Sequence, residues 1–203
     1  MSTIIPINLA VEDELSEAVL RKLLGSCAGF AVGFAYRRGG YGYLRKTIHG
    51  WNQAAKGTPF VVLTDLDNKY ACPAELIADW LSVPRHPNLL FRVAVHEVES
   101  WLLADIQNFS RFIGVPEREF TRNTDGLRDA KRTLVDLGRK SRLKLIRDSL
   151  LPRRGSTAKQ GPAYNSCLGK FVRDGWDLNA ASMNSPSLAR TVKRLAAFNP
   201  VWR

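Results

Sequence analysis

Cysteine is scarce in this chain of 203 residues. Cys27, Cys72 and Cys167 are odd in number and far apart, with no Cys-x-x-Cys spacing. A disulfide framework and a zinc knuckle are therefore both excluded as expectations, and a reducing cytoplasm is the expected setting. Long apolar runs are missing too: no stretch approaches the length of a membrane span, so no membrane partner is expected. The first residues, MSTIIPINLAVEDELSE, lack a basic n-region and turn acidic after a short apolar run, which argues against a signal peptide. There is no low-complexity tract and no internal repeat, so global disorder and solenoid architectures fall away. What is present is 45% hydrophobic and 24% charged, enough for one substantial core.

The formal net charge of +11 is unevenly spread along the sequence. Residues 1–105 carry ten Lys/Arg against eleven Asp/Glu, whereas residues 106–203 carry twenty against eight. Such asymmetry suits contact with a polyanion, because a basic surface gains affinity by releasing counterions from phosphates. A solvated basic face that aids solubility is the competing explanation.

In the first half, short apolar runs alternate with amphipathic stretches. TIIPINLA (3–10), GFAVGFAY (29–36), PFVVLTD (59–65) and LLFRVAV (89–95) read as strands, and EDELSEAVLRKLLG (12–25), residues 41–55 and PAELIADWLS (73–82) as helices. The strands are continuously apolar, without alternation. The order βαβαβαβ with such strands predicts an α/β fold with a parallel sheet covered on both faces. From Glu97 the pattern turns to helix and loop. EVESWLLADIQNFSRFIG reads as helix with a break near Gly114, a basic stretch over 128–159 as one or two helices and a loop, and SPSLARTVKRLAAF as a last helix packing on the sheet, capped by Ser185 with Pro186 at its first position. The expected organisation is an α/β core over 1–115 and a basic helical extension over 116–203.

In open parallel sheets, chemistry gathers at the carboxyl ends of the strands. Three acidic groups fall there: Glu12 after the first strand, Asp65 and Asp67 after the third, Glu97 and Glu99 after the fourth. If the backbone stays extended through Asp67, its carboxylate faces the same side as that of Asp65. Converging carboxylates repel unless a cation neutralises them, and an all-oxygen set suits Mg2+ or Mn2+ better than zinc. Val98, Trp101, Leu102 and Asp105 have helical spacing, so a helix starts near residue 97; Glu97 is then the better ligand, and Glu99 supports it or holds a basic side chain. His96-Glu97 lacks the second histidine of a zinc-protease motif, since Ser100 stands there. Arg37 and Arg38 precede two glycines and a helix start, a place where a phosphate can approach backbone amides.

The strand leading to Glu12, then a helix, then the later strand leading to Asp65-Leu-Asp67 resemble the TOPRIM fold of type IA topoisomerases, primases and OLD-type nucleases. Asp13 stands where that family usually has glycine. "VAVHEVESWLLAD" and "SPSLARTVKRL" are similar to signatures of a TOPRIM-like family from bacterial anti-phage defence loci. The resemblance implies a TOPRIM-like sheet and a metal-dependent nuclease acting on DNA or RNA, sometimes beside an ATPase of the ABC or OLD type; self-association is left open. Glu12, Asp65 and Asp67 would hold the metal, with Glu97 or Glu99 completing a site for phosphodiester hydrolysis. Arg37, Arg38, Lys131, Arg132, Arg139, Lys140, Arg142 and Lys144 would hold the nucleic-acid backbone. The rival expectations are a non-catalytic module binding nucleic acid or an ATPase, and a nucleotidyl- or phosphotransferase using the same carboxylates.

Overall fold

Ile7, Leu9, Ala10 and Val11 are completely buried, so the first strand has no solvent face along its second half. That is the environment of a central strand in a covered parallel sheet. The computed structural model describes residues 4–202; Thr3, read above as part of the first strand, lies outside the described residues. The chain divides into two compact units, residues 1–94 with 190–203, and residues 95–189.

The first unit alternates β1 (Ile5–Val11), α1 (Glu14–Gly25), β2 (Phe30–Tyr36), α2 (Gly40–Ala54), β3 (Phe60–Asp65), α3 (Pro73–Trp80) and β4 (Leu89–Ala94). The strands form one parallel sheet in the order β2-β1-β3-β4. The architecture is thus α/β, with a four-stranded, all-parallel sheet flanked by helices. The β1–β2 register slips by one residue between Ile7 and Leu9. Asn8 fills the gap: its Oδ1 accepts the Phe34 amide at 2.9 Å, and a Cβ on Gly33 would lie 2.5 Å from that same oxygen. A side chain at 33 would push out the group that replaces the lost ladder bond.

The helix expected from Glu12 starts two residues later. Asp13 caps α1 by accepting the Ser16 amide at 2.8 Å, and does so with extended backbone (φ −146°), so glycine's freedom is not needed there. Glu12 is thereby released from the helix and left in the turn.

The second unit is helical: α4 (Val98–Leu103), α5 (Ile106–Ile113), α6 (Ala130–Lys140), α7 (Lys144–Leu150), α8 (Tyr164–Asp174) and α9 (Leu178–Asn184), with short 3-10 turns at Glu117–Glu119 and Thr124–Gly126. The single helix expected over 97–113 is broken at Ala104–Asp105. Asp105 turns its carboxylate onto the amides of Asn108 (3.4 Å) and Asp177 (2.8 Å), capping α5 and ending α4. Phe109 stacks edge-on against Phe171 at 4.8 Å, and the Trp176 indole donates to the Trp101 carbonyl at 3.2 Å. Burying each such ring contributes about 1.5–3 kcal/mol.

The last helix, α10 (Pro186–Ala196), begins as its Ser-Pro-Ser sequence indicates, with Ser185 Oγ accepting the Leu188 amide at 3.3 Å. From Arg190 onward its residues belong to the first unit. There Leu195 is buried, Phe198 packs on Phe30 of β2 with ring centroids 5.7 Å apart, and Thr191 meets Arg92 of β4. Asn88, fully buried before β4, fixes the end of the chain by exchanging two 2.8 Å bonds with the Val201 backbone.

Candidate active site

From β1 the chain crosses to β2 on one side, while β3 and β4 lie on the other, so the strand order reverses between β1 and β3. At such a switch point the loops leave the sheet in opposite directions and open a crevice at the carboxyl ends of the two strands. Glu12 follows β1 directly and Asp65 ends β3.

Glu12 reaches across this crevice. Its Oε1 accepts the Asp65 amide at 3.1 Å and a very short bond from the Thr64 hydroxyl, itself 1% exposed. Neither bond uses Oε2. Burial pushes the Glu12 carboxyl above its ordinary value; the Thr64 and Asp65 donors oppose this, while the charges of Asp67 and Asp13 add to it. Burial and a neighbouring carboxylate both make the negative charge of Glu12 costly, a cost that a cation at this edge would offset.

Asp67 arrives by a different route from the one expected. The strand stops at Asp65, Leu66 turns inward to 2% exposure, and Asp67 takes the left-handed conformation at φ 51°. The premise of extended backbone through Asp67 is therefore wrong. The turn nonetheless brings Asp67 near enough to repel Glu12. Asp67 Oδ2 accepts from Lys69 Nζ at 2.9 Å, and that ammonium lies 3.7 Å from the centre of the Tyr41 ring. Burial pulls the Lys69 ammonium down, but the bond and charge of Asp67, aided by Tyr41 and Glu12, outweigh it and leave it raised. Tyr41 continues a rim of polar contacts. It donates to the Tyr70 hydroxyl at 3.3 Å, and Tyr70, pushed up to about 12 chiefly by its bond to Asp79, donates to that carboxylate at 2.5 Å.

Thr64 and Lys69 were not singled out by the sequence. Thr64 was masked by its apolar neighbours, and Lys69 is one more lysine in a basic chain.

Among the described residues, no three His, Cys, Asp or Glu side chains form a ready metal cage. Mg2+ does not require one: it usually takes one or two carboxylates and completes its shell with water and substrate phosphates. Glu12 and Asp67 are oxygen donors of that kind, and a cation beside Asp67 is the Lys69 ammonium. The donor chemistry fits a hard divalent ion.

Compared with family models, curated proteins and solved structures, the chain matches none.

Glu97 and Glu99 lie in the second unit. Glu97 occupies the cap position of α4 and accepts the Lys131 amide at 2.7 Å; Glu99, 2% exposed, accepts from the Tyr164 hydroxyl at 3.2 Å and pairs with Lys131 Nζ at 3.4 Å. Both carboxylates are thus tied to α6, and Glu99 holds a basic side chain. Most of the expected nucleic-acid contacts are tied up as well. Arg132 and Arg139 pair with Asp136, Lys140 with Glu119, Lys144 with Asp148, and Arg37 with Glu17 and Glu14. Arg38 and Arg142 are exposed and make no ion pair among the described residues.

Proposed function

We propose that the protein is a TOPRIM-like, Mg2+- or Mn2+-dependent nuclease that hydrolyses phosphodiester bonds of DNA or RNA. The observation carrying this reading is the half-buried Glu12 carboxylate, bonded across the switch point to the Asp65 amide and repelled by Asp67. Glu12 and Asp67, with Asp65, would hold the metal, which when bound supplies Lewis-acid polarisation of a phosphoryl oxygen and a water of lowered pKa. Thr64 and the Asp65 amide orient Glu12 by donating to its Oε1. Lys69 is placed to hand its ammonium from Asp67 to a phosphate oxygen. The resemblance of the sequence extends the proposal to anti-phage defence beside an ABC- or OLD-type ATPase.

One observation favours a second reading, a non-catalytic module. Lys69 pairs with Asp67, so one carboxylate of the acidic edge already has a cation beside it.

The combined Asp65→Ala and Asp67→Ala variant decides between them. Plasmid and single-stranded substrates are incubated with MgCl2 or EDTA. Cleavage that requires Mg2+ and disappears in the double variant is the expected result; cleavage that persists in the variant, or its absence from the wild type, overturns the nuclease reading.

A further inference from the structure

Arg85, Arg92, Arg190 and Arg194, all in the first unit, differ from the paired cations of α6 and α7. None makes an ion pair with a carboxylate among the described residues. Arg92 projects from the middle of β4, half-buried, and its Nε donates to Thr191 Oγ1 at 3.3 Å. Arg190 and Arg194 stand one turn apart on α10 and flank Thr191, and Arg85 precedes β4. Arg92 lies close enough to feel the charges of the other three, and Arg85 that of Arg194. Burial first, then the charges of Arg85, Arg194 and Arg190, lower Arg92 to about 10, and Arg194 together with burial lowers Arg85. Arg92 remains protonated at neutral pH, so uncompensated positive charges share one patch. Guanidinium groups so placed have planar N–H donors directed at no acid, the arrangement that suits a phosphate or other oxyanion.

The position of the patch favours a polymeric ligand. Arg92 is in register with Leu63 on β3. Asp65 lies two residues further on and shares that face of the sheet. Arg92 is therefore about 7 Å behind the carboxyl edge where Asp65 stands. A single phosphate would satisfy part of such a cluster; a nucleic-acid strand offers successive phosphates and leads on toward the acidic crevice.

We infer that Arg85, Arg92, Arg190 and Arg194 seat the phosphodiester backbone of the substrate strand on the β4 and α10 face of the first unit. This rests on the nuclease reading for the identity of the ligand, but not for its test. Binding of a labelled single-stranded oligonucleotide to the full chain is followed by fluorescence anisotropy in EDTA, where cleavage plays no part, across a salt series. Arg190→Ala with Arg194→Ala, both exposed, is expected to weaken binding about tenfold at low salt and to flatten the log–log salt slope by about 1.4 units, two contacts on a single strand. Arg92→Lys keeps the charge but loses the fork, and is expected to weaken binding with the slope retained. Arg21→Ala with Arg118→Ala, which removes two cations paired with Glu17 and Glu119, changes affinity by less than about twofold. Unchanged affinity and slope in the Arg190/Arg194 variant overturn the proposal. So does displacement of the oligonucleotide by inorganic phosphate at equal phosphate concentration, which marks a single-anion site, or a loss seen with phosphatidylglycerol vesicles alone, which marks a membrane surface.

Discussion

Glu12 carries a titration whose sign is fixed by its surroundings. Burial raises its folded pKa, so the folded state favours the protonated form. Its contribution to stability is fully present below the ordinary carboxylate range and is lost as pH rises through the folded value. Above that value the fold carries a half-buried carboxylate at a cost. Glutamine can accept the same Thr64 and Asp65 donors without charge. Glu12→Gln is therefore expected to melt higher than wild type in EDTA at neutral and alkaline pH, with the gap closing toward acidic pH. Added MgCl2 is expected to stabilise the wild type by about 2.7 kcal/mol at a hundredfold excess over Kd, raising its midpoint, and to leave Glu12→Gln unmoved. Scanning fluorimetry across pH and Mg2+ reads both effects. Asp67 presents the converse case, a non-glycine residue at φ 51° beside another acid. Asparagine tolerates that conformation, so Asp67→Asn is expected to hold wild-type stability or exceed it while metal affinity, read by calorimetry, falls at least about tenfold.

The junction before α10 shows how much one acid can hold. Asp125 accepts from the Ser187 amide at 2.7 Å and from the hydroxyls of Ser185 and Ser187 at 2.6 and 3.0 Å, and both serines are buried. Ser187 in turn accepts from the Trp101 indole at 2.7 Å. Asp125→Ala strands these donors and is expected to cost about 3 kcal/mol, a fall of roughly 6–12 °C in melting temperature. The return of the chain into α8 is limited by space: a Cβ on Gly161 would meet the Ser149 carbonyl oxygen at 2.2 Å and that of Leu151 at 2.7 Å. Gly161→Ala is expected to cost about 3 kcal/mol or more, measured by chemical denaturation. The Ser-Pro-Ser signal for α10 and the four strands were legible, because proline at a helix start and unbroken apolar runs are local signals. The end of α4 was not. Apolar spacing continues through it, and the stop comes from Asp105 bonding to Asp177, which is 72 positions away. Asp67 escaped for a similar reason: its left-handed turn follows from Leu66 seeking the core, which no local period encodes.

Charge counted along the sequence and charge counted by folded unit give different pictures. The halves of the sequence differ sharply, yet residues 1–94 with 190–203 hold fourteen Lys/Arg against eight Asp/Glu, and residues 95–189 hold sixteen against eleven. The returning C-terminal segment brings basic residues to the unit that carries the acidic crevice, something sequence order conceals. The same segment completes that unit's core, which makes its removal a test of the division. A chain ending at Ala189 loses Leu195 and Phe198 from the core, at about 2–5 kcal/mol each, and leaves the Asn88 amide without Val201 at a further 1–3. That sum rivals the 5–15 kcal/mol by which domains are usually stable. The truncated chain is expected to lose amide exchange protection across β1, β3 and β4 while α4 to α8 stay protected, because their packing around Trp101, Phe109 and Phe171 lies wholly within residues 95–189. Protection lost throughout would mean that the two units fold only together. Asn88→Ala in the full chain separates the polar share of the loss, about 2–3 kcal/mol, from the share due to the missing apolar side chains.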